Sequence, residues 1–172
     1  MYKRQTYPYD IANPSINWTL NTNEKGILLE DYTGHKCTNC PAAATIATQL
    51  EDDTALGVIV VSVHASTDGS FQSTDDVEFT VDYQTDAGDA YVQEMPGFIG
   101  NPMGTINRND GGYSNTNWYF SSNWATGVND EISQGNLDAN IQLQYNYYPS
   151  TNGLFIHTET TFLNTLSGNY HL

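Results

Sequence analysis

Two apolar runs and the segment between them do most to limit what this chain can become. "VIVVSVHA" (Val58–Ala65) is continuously apolar and β-branched, the pattern of a strand covered on both faces. "GILLEDY" (Gly26–Tyr32) is a shorter run that opens on a glycine and breaks at "TGHK", which predicts a buried strand. Between them, "CPAAATIATQL" carries strong helix formers to about Leu50, with Pro41 where the first helical turn tolerates a proline. Polar "DDTALG" closes the helix. Strand, helix, strand makes a βαβ unit, whose strands are parallel and whose crossover is right-handed.

The rest of the chain is read from that unit outward. Residues 1–19 are polar and turn-rich and form a leading segment on the surface. Residues 66–84 are acidic and irregular, and "TDAGDAYVQEM" predicts a helix from about Asp86 to Met95. A short strand follows at Met103–Asn107, then a turn on "NDGG" that leads into a paired strand, then a helix in "SSNWATGVNDEIS" capped by Ser121 or Ser122. Residues 20–135 are therefore expected to form an α/β domain. From residue 136 the texture changes. Ile141, Leu143, Tyr145 and Tyr147 alternate with polar residues, as do Leu154, Ile156 and Phe162, and "LSGNYHL" starts a third strand. An immunoglobulin-like sandwich needs about seven strands, so residues 136–172 are expected to be its truncated start. Tyr145, Tyr147 and Tyr148 are expected to line that second domain, and Trp118 and Trp124 to pack in the first.

Charge excludes one class of partner. Five basic residues against 20 acidic ones give a formal charge of −15, a field that repels a phosphate backbone, so no nucleic-acid binding is expected. With 12 Tyr, 6 Phe and 3 Trp the chain is too rich in aromatics to stay disordered. No apolar run of about 18 residues is present, so no membrane-spanning segment is expected. "MYKRQTYPYDIANPS" has the basic start of an export signal without the apolar stretch that should follow, so an exported protein would carry its signal elsewhere.

The chemistry centres on Cys37 and Cys40, which the residues alone leave open as a redox couple, part of a metal site or a structural staple. A thiolate is the reactive form of cysteine, and a helix N-terminus favours it, as would positive charge from His35 and Lys36. Cys40, one helical turn on, is expected to be the more buried. Attack by Cys37 on a disulfide can be resolved by Cys40, with a carboxylate to take its proton. Asp31 is the candidate if Leu29 is buried, because the two share a strand face, while Glu30 points the other way. A metal would need about four ligands, and only His35 and His64 could join the thiols, which makes redox use the favoured reading. His64 reads as a structural histidine and Arg108 as the partner of an acidic neighbour.

A strand bearing an acidic residue, followed by C-x-x-C opening a helix, resembles the thioredoxin superfamily, with Asp31 at the spacing thioredoxins use for their buried aspartate. "GNPMGTINR" puts Pro102 where that superfamily has a cis-proline facing the disulfide. The finer pattern "LLEDYTGHKCTNCPAAA", with "VIVVSVHA", "YQTDAGDAYVQEM" and "NPMGTINR", resembles the thioredoxin-like outer-membrane protein family of Bacteroidetes over Gly26–Leu172. The resemblance implies a thioredoxin-like fold, a central mixed sheet flanked by helices, followed by an immunoglobulin-like β-sandwich. It implies an exported thiol-disulfide oxidoreductase without cofactor or metal, acting on protein thiols or disulfides in the periplasm or at the outer membrane of a Gram-negative bacterium, attached there through an N-terminal signal or lipid anchor. Cys37 would attack, Cys40 resolve and Asp31 assist proton transfer. Pro102, with Asn101 and Met103, would shape the substrate surface, and His35 and Lys36 would modulate the thiols. The rival implication is a non-catalytic cell-surface binding protein with a permanently closed disulfide.

Overall fold

Parallel pairing of the two apolar runs organises the first unit. The computed structural model describes residues 25–135, 137–148, 151–165 and 167, so the leading segment and nearly all of the third strand expected at "LSGNYHL" lie outside the described residues. Strand β1 (Ile27–Thr33) runs parallel to β2 (Val58–His64), with Ile27 opposite Val58 and Thr33 opposite His64. Helix α1 (Cys40–Asp52) makes the crossover. Helix α2 (Asp86–Glu94) follows β2, and the Thr85 hydroxyl caps it by accepting from the Gly88 amide. Strand β3 (Met103–Ile106) returns antiparallel along the other side of β1, β4 (Trp118–Phe120) pairs antiparallel with β3, and helix α3 (Trp124–Gln134) ends the unit. The result is a mixed four-stranded sheet in the order β2-β1-β3-β4.

Alternation along β1 divides the core in two. Ile27 and Leu29 face Ala43, Ala47 and Leu50 of α1 and Trp124 and Val128 of α3. Tyr32, of the opposite parity, joins Met103, Trp118, Ala65 and Val92 of α2. Each large side chain so buried contributes about 1.5–3 kcal/mol. Trp118 and Trp124 are both fully buried, as their packing role required. At Gly104 the close approach of chain segments leaves no room for a side chain: a Cβ would stand 2.8 Å from the Glu30 carbonyl oxygen and 2.8 Å from the Trp124 indole nitrogen.

Three local expectations need correction. Among the described residues β2 is an edge strand, and Ile59 and Val61 on it are 59% and 45% exposed, so it is not covered on both faces. The link from β3 to β4 is a long loop over residues 107–117 with a 3-10 turn at Tyr113–Asn115, not a tight turn on "NDGG". Neither serine caps the third helix. A 3-10 turn at Ser121–Asn123 feeds directly into Trp124, and the capping position, Asn123, makes no side-chain cap.

The second unit begins at Leu137. Its described part is one antiparallel hairpin, β5 (Ala139–Tyr148) and β6 (Gly153–Phe162), with Tyr145 opposite Ile156 and Ala139 opposite Phe162. Among the described residues no second sheet packs on it, and Leu143, Tyr145 and Ile156 are more than half exposed. An antiparallel sheet is therefore present, as the alternating pattern predicted.

Candidate functional site

The turn between β1 and α1 brings the two cysteines together. β1 stops at Thr33, and Gly34 then passes so close to the loop after β2 that a Cβ would sit 2.6 Å from the Phe71 carbonyl oxygen. The Lys36 amide donates to that same oxygen at 3.0 Å. The Cys37 amide then donates to the Gly34 carbonyl, and the Cys40 amide to the Cys37 carbonyl. This tight winding holds the two Cα atoms 5.4 Å apart, and Cys37 and Cys40 form a disulfide. The helix itself begins at Cys40, with Pro41 in its first turn. Cys37 is thus one turn ahead of the helix rather than in it, and the two cysteines are equally buried, at 4% exposure each. Both points correct the sequence reading, and the first has a physical reason: a helix begun at Cys37 would carry Pro41 in its interior, where its ring and missing N–H are not tolerated.

His35 and Lys36 engage the loop after β2. The His35 Nε2–H donates to the Ser73 carbonyl at 2.9 Å, and its ring stacks on Phe79 with centroids 4.8 Å apart. Lys36 Nζ donates to Ser73 Oγ, lies 3.4 Å from the Asp75 carboxylate and stands over the Phe79 ring. Asp75 accepts from the amides of Val77, Glu78 and Phe79, which hold its pKa far below the ordinary carboxylate range. The Lys36 charge therefore has a carboxylate partner outside the thiol pair. His64 ends β2 with its ring 6.1 Å from that of His35, and burial together with His35 lowers its pKa. Its Nδ1 is buried without a hydrogen-bond partner among the described residues, so it is not the satisfied structural histidine expected.

Adjacent carboxylates on β1 meet opposite fates. Leu29 is fully buried, as the argument for Asp31 required, yet both Asp31 and Glu30 are buried too, at 1% and 4% exposure. Partners separate them. Glu30 accepts from Arg108 Nε and Nη2 at 2.7 and 2.5 Å and from Thr105 Oγ1 at 2.7 Å. Burial works to raise its pKa, but those hydrogen bonds and the guanidinium charge hold it below the ordinary value. Arg108 also covers the Tyr91 ring at 3.9 Å. Asp31 has no such support: its Oδ1 finds no hydrogen-bond partner among the described residues, and burial pushes its pKa up to about 6. It lies opposite Gly104 on β3, on the strand that leads into the cysteine turn.

Pairing of Tyr32 with Met103 places the segment just before β3 at the end of β1 that leads to Cys37. The Asn101–Pro102 peptide bond there is cis, and both residues are half-buried. Met103 is different: its side chain is 1% exposed, in the core cluster with Tyr32 and Trp118. One residue here went unnoticed in the sequence. Gln72, 1% exposed, donates through Nε2 to the Thr33 carbonyl and to Asn101 Oδ1, and its Oε1 accepts from Ser66 Oγ. A lone glutamine in an acidic, irregular stretch carries no signal that would have singled it out.

Among the described residues no group of three or more His, Cys, Asp or Glu side chains gathers to hold a metal ion. An open cavity of about 190 Å³ lies by the β3–β4 loop, lined by Tyr113, Phe120 and Asp130 among others, and none of the residues around the cysteine turn lines it. No helix among the described residues is long and apolar enough to cross a membrane. The chain matches no known protein family and no curated protein. A crystal structure of a structural-genomics target from Agrobacterium tumefaciens overlays with a TM-score of 0.47 and 12% identity, covering 73% of this chain and 54% of that one. A likeness that weak carries no argument.

Proposed function

We propose that the chain is a thiol-disulfide oxidoreductase with a thioredoxin-like fold, exported across the inner membrane and acting on protein thiols or disulfides. The observation that carries this reading is the Cys37–Cys40 disulfide in a strand-to-helix turn, with a buried Asp31, its Oδ1 unpartnered among the described residues and its pKa raised to about 6, on the strand that leads into it. Support for the fold comes from the sheet order β2-β1-β3-β4, with the first pair parallel and the last antiparallel. A disulfide favours an oxidising compartment, the periplasm or outer surface of a Gram-negative cell, in keeping with the resemblance to the thioredoxin-like outer-membrane proteins of Bacteroidetes.

In the oxidised state a substrate thiolate attacks Cys37 Sγ. The Cys37–Cys40 bond breaks, Cys40 leaves as a thiolate and takes a proton from the Asp31 carboxyl, and a mixed disulfide joins Cys37 to the substrate. A second substrate thiolate then displaces Cys37. The substrate dithiol loses two electrons to become a disulfide, and the protein gains them as a Cys40 thiol and a Cys37 thiolate, which takes a proton from solvent. The reverse sequence reduces a substrate disulfide, with Asp31 accepting the Cys40 proton. Turnover of a disulfide-bonded peptide with dithiothreitol as reductant should be lost in Cys37→Ser, and equal turnover in that variant sinks the assignment.

A permanently closed structural bridge in a binding protein is the rival reading, favoured by the burial of both cysteines. A reduction potential below about −300 mV identifies it, whereas a value of roughly −120 to −270 mV fits exchange.

A further inference from the structure

We infer that Gln72 is a positioning residue that holds the Cys37–Cys40 turn and the Asn101–Pro102 segment in register, so that a substrate peptide can span both; this rests on the exchange reading above. The geometry is a three-way bridge at one end of the sheet. Gln72 Nε2 donates to the Thr33 carbonyl at 2.7 Å, and Thr33 is the last residue of β1 before the cysteine turn. The same nitrogen donates to Asn101 Oδ1 at 3.3 Å, and Asn101 Nδ2 donates in turn to the Ala65 carbonyl, just past β2. Gln72 Oε1 accepts from Ser66 Oγ at 2.7 Å. Both Nε2 protons and one lone pair of Oε1 are therefore used, by a residue that is itself 1% exposed.

This arrangement is more specific than burial requires. A buried amide is tolerated only when its groups are satisfied, and here every partner lies on a segment that borders the disulfide or the proline loop. Without Gln72, the Thr33 carbonyl and Asn101 lose their common partner, and the two segments can shift independently. Displacements of about 1 Å in supporting groups are enough to cost a large share of an oriented reaction. A small disulfide that touches the sulfurs alone is less sensitive to that shift than a peptide lying across both loops.

The test compares two substrates, a short disulfide-linked peptide and glutathione disulfide, with dithiothreitol as terminal reductant. In Gln72→Met, which keeps the length and removes the polar atoms, kcat/KM for the peptide should fall about tenfold, mainly through KM, and that for glutathione disulfide less than threefold. Asn101→Ala cuts the bridge from its half-buried side and guards against misfolding of the first variant. It should lower the peptide value likewise, and the double variant should be no worse than the weaker single one. Equal losses for both substrates, an unchanged peptide KM, or additive single effects would each overturn the positioning role while leaving exchange intact. A wild-type protein that turns over neither substrate would remove the exchange reading, and the role of Gln72 with it.

Discussion

Asp31→Asn isolates the one ionisable group that the fold buries without a partner. The side chain is 1% exposed, its Oδ1 is unpaired among the described residues, and burial raises its pKa from 3.8 to about 6. The folded chain therefore binds this proton more tightly than the unfolded chain. Stability from the group is fully present below pH 3.8 and is lost as the pH climbs through about 6. The gap between the two pKa values corresponds to about 3 kcal/mol, of which about 2 kcal/mol falls between pH 4 and 7.5. Asn cannot titrate, and whatever its buried amide costs is independent of pH. Urea unfolding of the oxidised wild type and Asp31→Asn across that range should show their difference moving by about 2 kcal/mol in favour of the variant. Glu30 and Glu131 also titrate, with pKa values shifted down, but they are common to both proteins and cancel. Two stability curves that stay parallel from pH 4 to 7.5 would refute the claim that Asp31 is buried and unpaired.

Other perturbations probe the frame around the site. Arg108→Ala leaves the Glu30 carboxylate buried with only Thr105, and should cost about 2 kcal/mol or more by urea titration; a loss below about 0.5 kcal/mol means that the ion pair is not desolvated. Leu29→Ala empties space between β1 and the two helices beneath it, and should lower unfolding free energy by about 2–5 kcal/mol, with a milder effect showing that the core can collapse around it. Gly34→Ala drives a methyl group to 2.6 Å from the Phe71 carbonyl. The amide of Lys36, which donates to that carbonyl, should then exchange with solvent at least about tenfold faster, and an unchanged rate would mean that the two loops are not in contact.

The βαβ unit was legible because its signals are local: β-branched runs, alanines and a proline at the start of a helix are read within a few residues of one another. The cysteine pair was legible for the same reason, and so was Asp31, through the parity it shares with Leu29. What sequence could not convey was coverage. Nothing in "VIVVSVHA" tells whether other elements will pack over Ile59 and Val61, and the described residues leave them 59% and 45% exposed. Glu30 and Arg108 are likewise 78 residues apart, and only the pairing of β1 with β3 brings them together. The burial of Met103 was not legible, because a strand so short shows too few alternations to tell its faces apart. Gln72 was silent because its hydrogen-bonding role depends on Thr33 and Asn101, 39 and 29 residues away, as well as on nearby Ser66, and none of these leaves a periodic trace.

The neighbouring acids on β1 also guard against misassembly. Sliding the strand by one residue along its partners would turn every side chain to the opposite face. The Glu30 carboxylate would then enter the apolar layer against α1 and α3, a slip in one direction would set Leu29 against Arg108, and the mismatch would appear on both sides of the sheet at once. Apolar strands such as "ILL" discriminate poorly between registers. A fixed charge and a protonatable one in consecutive positions give this strand an error signal that its hydrophobic residues alone could not supply.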